Sequence, residues 1–229
     1  MIKENVYEIG QTYIRLDFKA DQKYKNEFEK YLLSKGKEYT KIFFKNEYLI
    51  DGLFFQVELE DGSLKGRLKI FGKIAIGGLI AYGGIRTGID YIIKDSQTIN
   101  ECIVRDIANE PNIDPNSIGR VERRLGIPGK IKRLYNEMDR LSRDRNNLTE
   151  NEENVLIANI QKHYEELVFE LDQHEISFIK QDILLHQIPL PQQNQDNVFF
   201  PRQFAIRNDD IELISEDEIH EMRQLPPIE

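Results

Sequence analysis

The segment Lys73–Lys94, KIAIGGLIAYGGIRTGIDYIIK, limits what this chain can fold into more than any other stretch. Its five glycines, Gly77, Gly78, Gly83, Gly84 and Gly88, fall within twelve positions of an apolar run. A helix that crosses a bilayer needs ~20 predominantly apolar residues. The uncharged run here extends only from Ile74 to Ile85, because Lys73 and Arg86 bound it and Asp90 interrupts the remainder. Each charge inside a span costs on the order of 2.5–3.5 kcal/mol. Arg86 and Asp90 stand four apart and can pair on one helix face, which softens the penalty without removing it. A lone spanning helix is therefore disfavoured.

Glycine costs about 1 kcal/mol relative to alanine inside a helix, so something must offset several of them. The spacing Gly84-x-x-x-Gly88 permits close backbone approach of a second helix. That makes Gly84, Gly88, Arg86 and Asp90 candidate oligomer contacts, with Arg86 and Asp90 as an internal pair. The plain alternative is that Gly77-Gly78 and Gly83-Gly84 are turns between short segments folded under a sheet. A third reading lays the segment on or into a membrane surface, because Lys65, Arg67, Lys69 and Lys73 just before it suit anionic headgroups.

Upstream, Tyr13–Lys19 alternates apolar and polar residues with the period of a half-buried strand. A helix is predicted from Asp21 to about Ser34, with Gly36 as its stop. Tyr39–Tyr48 is the next strand candidate, Asp51-Gly52 is a turn signal, and Leu53–Glu60 is a further strand. Residues 1–62 thus read as a small β-α-β-β sandwich, with one helix over one face of an antiparallel sheet whose edges are open to another chain. Residues 63–110 read as a Gly-rich helical segment, its amphipathic stripe made by Ile85, Ile89, Ile92, Ile99, Ile103 and Ile107. Residues 111–186 read as an antiparallel helical hairpin. A helix from Asp114-Pro115 stops at Gly126. Pro128 starts the next, and Thr149 with Glu152 forms a capping box for a last helix carrying Leu156 through Phe178. Residues 187–229 form an acidic tail, in which VFFPRQF at 198–204 is an aromatic island suited to docking back as a strand or to binding a partner. The fold class is α+β.

With 31 Lys and Arg against 40 Asp and Glu, the formal charge is −9, which disfavours indiscriminate nucleic-acid binding. A single cysteine, Cys102, rules out an internal disulfide and points to a reducing compartment. No secretory signal is evident at the start, so a cytoplasmic protein is expected, with the inner face of the membrane within its reach. GRLKIFGK at 66–73 fails as a phosphate loop, because five residues separate the glycines and Ile74 stands where the metal-coordinating hydroxyl belongs. His163, His174, His186 and His220 match no zinc spacing. No catalytic group, metal or cofactor is expected. The strongest electrostatic feature is 120–145, where nine cations face four carboxylates. Arg123, Arg124, Lys130 and Arg133 are its candidate partner contacts, unless the acidic tail neutralises them.

The run LEDGSLKGRL at 59–68, after a strand-helix-strand-strand opening, resembles a group of uncharacterised bacterial proteins with a Glu-x-Gly-Ser-Leu-Lys/Arg signature. YGGIRTGIDYIIKD and RRLGIPGKIKRL strengthen the resemblance. It implies a recurrent architecture and no assigned activity. The expected function is that of a non-enzymatic bacterial assembly protein. It would act through the Gly-rich helix and a basic helical face, with a second copy or another protein as partner. The alternative is a membrane-associated effector whose Ile74–Ile93 segment inserts into the bilayer or lies on it.

Overall fold

Strand β1, Tyr7–Leu16, is the middle of the structure, hydrogen-bonded on both sides. The computed structural model describes residues 6–44, 50–60, 64–81, 83–190 and 211–213. After β1 come α1 (Gln22–Phe43), β2 (Ile50–Glu60), β3 (Leu64–Ile74), α2 (Ile76–Ala81) and α3 (Ile85–Asn109). A 3-10 turn leads into β4 (Ile118–Leu125), then α4 (Ile127–Asp144), α5 (Glu150–Glu170), α6 (Gln173–Leu185) and a three-residue strand, β5 (Ile211–Leu213). The sheet is antiparallel, in the order β2-β3-β1-β4-β5. Leaving aside α2, the order β-α-β-β-α-β with β3 between β1 and β2 is the ferredoxin-like, split β-α-β arrangement. The fold is α+β, as the sequence pattern predicts, but the sheet runs on through the boundary expected at residue 62.

Several elements differ from expectation for identifiable reasons. β1 begins at Tyr7 instead of Tyr13. A central strand is covered on both faces, so Tyr7, Ile9, Gly10, Gln11 and Thr12 are all buried and show no alternation. α1 runs past Gly36 into the Tyr39–Phe43 stretch expected as a strand. Gly36 is there for close approach, since a Cβ on it would lie 2.9 Å from Leu68 Cδ2 of β3. The basic stretch 64–74 is β3, and its burial alternates along nearly its whole length. The segment expected as a helix from Asp114 to Gly126 is the 3-10 turn and β4. Asp114 caps the turn locally, accepting from the Asn116 amide at 2.9 Å, and β1 then recruits residues 118–125 as a neighbouring strand. The helix expected through Phe178 breaks at Leu171–Asp172, where Asp172 accepts from the Glu175 amide at 2.7 Å and starts α6. The aromatic island at 198–204 lies outside the described residues.

Two apolar clusters make up the interior. One gathers Tyr7, Ile9, Ile74, Ile76 and Leu79 with Ile85–Ile93 of α3 and the inner faces of α4, α5 and α6. The other gathers Ile14, Leu16, Phe28, Leu32, Leu64, Leu68 and Ile70 with Ile99–Ala108 of α3. α4 and α5 pack together as a helical hairpin through Ile131, Leu134, Met138, Leu156, Ile160 and Leu167. The second helix of that pair starts at the capping box: the Thr149 amide donates to Glu152 Oε2 at 2.8 Å, and the Glu152 amide donates back to Thr149 Oγ1. Thr149→Ala removes the side-chain half of this exchange. It is expected to lower stability by about 1 kcal/mol, read as a shift of the urea midpoint at unchanged slope.

Candidate interaction surfaces

The sheet has two unlike faces. Thr12 and Gly10 meet Asn100 and Ser96 of α3, and Gly66 meets Phe28 and Leu32 of α1, so alternate residues on that side close the core. The intervening residues form the opposite face: Gln11, Tyr13 and Arg15 on β1, Lys65, Arg67 and Lys69 on β3, Gln56 and Glu58 on β2, and Arg120, Glu122 and Arg124 on β4. Tyr13 is its centre and is only 7% exposed. The guanidinium carbon of Arg67 lies 5.3 Å from the Tyr13 ring centroid, and that of Arg124 lies 5.7 Å away. Each such contact is worth about 0.5–2 kcal/mol, more as water is excluded. Carboxylates hold the cations in turn. Lys69 Nζ is 2.6 Å from Glu58, whose other oxygen is 3.9 Å from Arg67. Arg124 Nε donates to Glu122 at 2.8 Å, and Arg120 pairs with the same carboxylate. Glu8 sits beside Phe71 in register on this face, and burial holds its carboxyl above the usual range, against the pull of Lys69. The result is a ladder of alternating sign across four strands. Charge on it is balanced locally, so it offers little counterion release to a polyphosphate.

The structure does not gather the residues proposed as a basic helical face. Arg123 and Arg124 are adjacent in β4 and therefore point to opposite sides of the sheet. Arg123 is buried against α3, with Nη1 2.6 Å from Glu101, whereas Arg124 joins the ladder over Tyr13. Lys130 pairs with Glu170 across the α4–α5 contact, and Arg133 is half-buried on α4. The expectation of one contiguous face fails because 118–125 is a strand and its side chains alternate.

The glycine-rich segment divides into β3's last residue, α2, a turn and α3. Gly83 and Gly84 form the turn, with φ of +98° and +108°, where a side chain would be strained. A Cβ on Gly84 would meet no atom within 4 Å. Gly88 serves close helix approach, and the neighbour is the chain's own α2: a Cβ there would lie 2.5 Å from Leu79 Cδ2. Arg86 and Asp90 form their ion pairs with α4, Arg86 with Asp139 and Asp90 with Lys132 at 2.8 Å. Their role is to tie α3 to the hairpin.

A second polar cluster joins α1 to α3. Tyr39 donates to Asp106 at 2.6 Å, and Lys35 Nζ is 3.0 Å from the same carboxylate. Burial, then Asp106, pushes the Tyr31 and Tyr39 hydroxyls above their ordinary range. Burial pushes the neighbouring Cys102 thiol up to about 11. These groups keep their protons, which suits a lock between helices. His174 lies edge-on to Phe178, with centroids 5.0 Å apart. Among the described residues, no group of three or more His, Cys, Asp or Glu could hold a metal ion, and no helix is long and apolar enough to cross a membrane.

Sequence reasoning missed β4 and, with it, the Tyr13 ladder. The available signal is the set Tyr13 and Arg15 on β1 with Asp17 just beyond it, which by itself reads as a solvated face. No family model, curated protein or solved structure matches the chain.

Two measurements check these assignments. Gly88→Ala crowds Leu79 and is expected to cost about 1–3 kcal/mol by overpacking, seen in equilibrium unfolding. The Cys102 thiol, protonated below about pH 11 and buried, is expected to stay unlabelled by a thiol reagent at pH 8 in the native protein. It should label fully once urea unfolds the chain.

Proposed function

We propose that this chain is a non-enzymatic interaction protein that assembles through its sheet. The observation that carries the reading is the outer edge of β2. This strand is eleven residues long, and among the described residues no other strand pairs with that edge. Phe55, Val57 and Leu59 flank it and are only half-buried, although α1 packs on that side. A long edge with unfinished apolar cover is suited to strand addition. The protonated, buried state of Cys102 is the opposite of an activated nucleophile and supports a role without catalysis. A lone buried thiol also fits a cytoplasmic setting. The partner is a second copy or another protein; no cofactor is needed.

Assembly through Gly84 and Gly88 draws less support, since Leu79 of the same chain already occupies the approach at Gly88. The membrane-associated alternative also draws less. Ile74, Ile76, Leu79, Ile85, Ile89, Ile92 and Ile93 would all have to leave the core first, at about 1.5–3 kcal/mol each.

Light scattering at tens of micromolar, a range chosen to populate contacts with Kd near about 1 μM, tests the proposal. A dimer or larger species is expected in buffer without detergent. A strict monomer in that range, with and without detergent, removes the basis of the homo-oligomer reading. Protein that partitions into anionic vesicles and releases their contents favours the membrane alternative.

A further inference from the structure

Whatever pairs with the outer edge of β2 also meets the flank of the helix above it. α1 lies over the last two strands on that side: a Cβ on Gly36 would be 2.9 Å from Leu68 Cδ2 of β3 and 3.2 Å from Phe55 Cδ1 of β2. α3 lines the inner flank of α1, where Tyr39 and Lys35 reach Asp106. Leu33 is two residues from Lys35 and therefore about 160° round the helix from it. It projects to the open side, beyond β2, and is half-buried there. Glu29 and Lys37 stand one turn to either side of Leu33, and among the described residues neither has an ion-pair partner.

Strand spacing decides what fits beside this flank. Neighbouring strands lie about 4.8 Å apart. A two-fold axis relating β2 to a second β2 stands half a spacing outside the strand, and α1 sits about half a spacing inside it. The two α1 helices would then be about 9–10 Å apart, at the upper end of the roughly 8–10 Å at which helices pack. Gly36 lies against Leu68, the register partner of Val57, so an axis through Val57 passes within one turn of Leu33. That axis reverses the second helix, which sets the two Leu33 flanks together and brings Glu29 of one copy toward Lys37 of the other.

We propose that the occupant of the β2 edge is a second copy of this chain, related by a two-fold axis through Val57, and that α1 packs on its symmetry mate with Leu33 as the anchor. The inference rests on the reading of β2 as the assembling edge and adds a helical layer to the contact. Main-chain hydrogen bonds join the sheets, and the paired helices complete the cover over Phe55, Val57 and Leu59. A foreign strand supplies the first without the second, so the flank favours self over other partners.

The test uses variants of the full chain, sized by light scattering. Val57→Cys places two thiols face to face on the axis, with Cα atoms about 4.5–5.5 Å apart, inside the range a disulfide spans. Mild oxidation is expected to link two chains, whereas Gln56→Cys, offset from the axis, should not link. The native thiol, Cys102, is buried and stays out of this reaction. Leu33→Glu is expected to raise the dimer dissociation constant about tenfold or more, with unchanged circular dichroism. Glu29→Lys and Lys37→Glu should each weaken the dimer, and the double reversal should restore it. Linking in the Gln56→Cys variant but not in Val57→Cys, a dimer indifferent to Leu33→Glu, or a double reversal as weak as the single ones overturns the proposal and leaves assembly through the sheet standing. Should Leu33→Glu lose its fold, the cysteine variants decide. Protein that stays monomeric throughout overturns both readings.

Discussion

Thr12 on β1 donates to the side chain of Asn100 on α3, and one turn earlier Ser96 lies against Gly10. This small polar contact sits between the two apolar clusters, and the rest of the molecule is arranged around it. α3 has twenty-five residues, which is about 37 Å of helix, enough to serve both clusters. Its first half, Ile85–Ile93, belongs with the helical hairpin, and its second half, Ile99–Ala108, belongs under the sheet. A helix that was apolar throughout could slide by a turn and still bury its stripe. Asn100, fully buried, removes that freedom, because a slide would take its side-chain oxygen from the Thr12 hydroxyl in a low-dielectric interior, and Ser96 fits there only because Gly10 has no side chain. Glu101, next along the helix, reaches Arg123 of β4 and fixes the same register from the neighbouring strand.

Electrostatics follow the same logic of local balance. A chain with nine surplus negative charges concentrates cations on β3 and β4, and the fold sets Arg67, Lys69, Arg120, Arg123 and Arg124 beside carboxylates. Glu122, 2% exposed, receives two arginines, and Glu58 receives Lys69 and Arg67. A buried carboxylate of this kind is tolerable only with such partners. Tyr13 supplies an aromatic floor under two guanidinium groups, which keeps them flat against the sheet and limits their reach. The same pattern ties α3 to α4 through Arg86 with Asp139 and Asp90 with Lys132. The charges work chiefly as internal fasteners, and what they leave open is main chain at the strand edges.

How much of this was legible in the sequence depended on whether one local signal governed each element. The start of α5 was legible because Thr149 and Glu152 settle it between themselves. The α3 stripe was legible because a helix with one buried face repeats its pattern whatever it packs on. β4 was not, since its inward positions include Arg123, whose partner Glu101 lies twenty-two residues away, so the apolar alternation breaks where it was needed. Asp114-Pro115 then offered a helix start that the structure uses only for a 3-10 turn. Gly36 and Gly88 were ambiguous for a related reason. A glycine that ends a helix and one that admits a neighbour look alike until the neighbours, here Leu68 and Leu79, are known. The central strand hid its first half because two-sided burial erases the period of two.

The two edges of the sheet bear differently on assembly. A sheet with both edges open invites head-to-tail addition, in which the β2 edge of one copy meets the β4 edge of the next. Such a heterologous contact extends without limit unless its rotation closes a ring. β5 blunts the β4 edge by occupying its last residues, one of the ways proteins manage exposed strands. With three residues of that edge engaged, the edge-to-edge assembly proposed above has β2 against β2 as its longest available pairing. An antiparallel β2–β2 pair is isologous, and a contact of that kind closes at two. A register centred on Val57 sets Gln56 opposite Glu58 and Phe55 opposite Leu59, which keeps the apolar row continuous and places no carboxylates of 55–59 opposite one another. Three paired residues on β4 against none on the outer side of β2, among the described residues, make β2 the longer stretch of unmatched main chain.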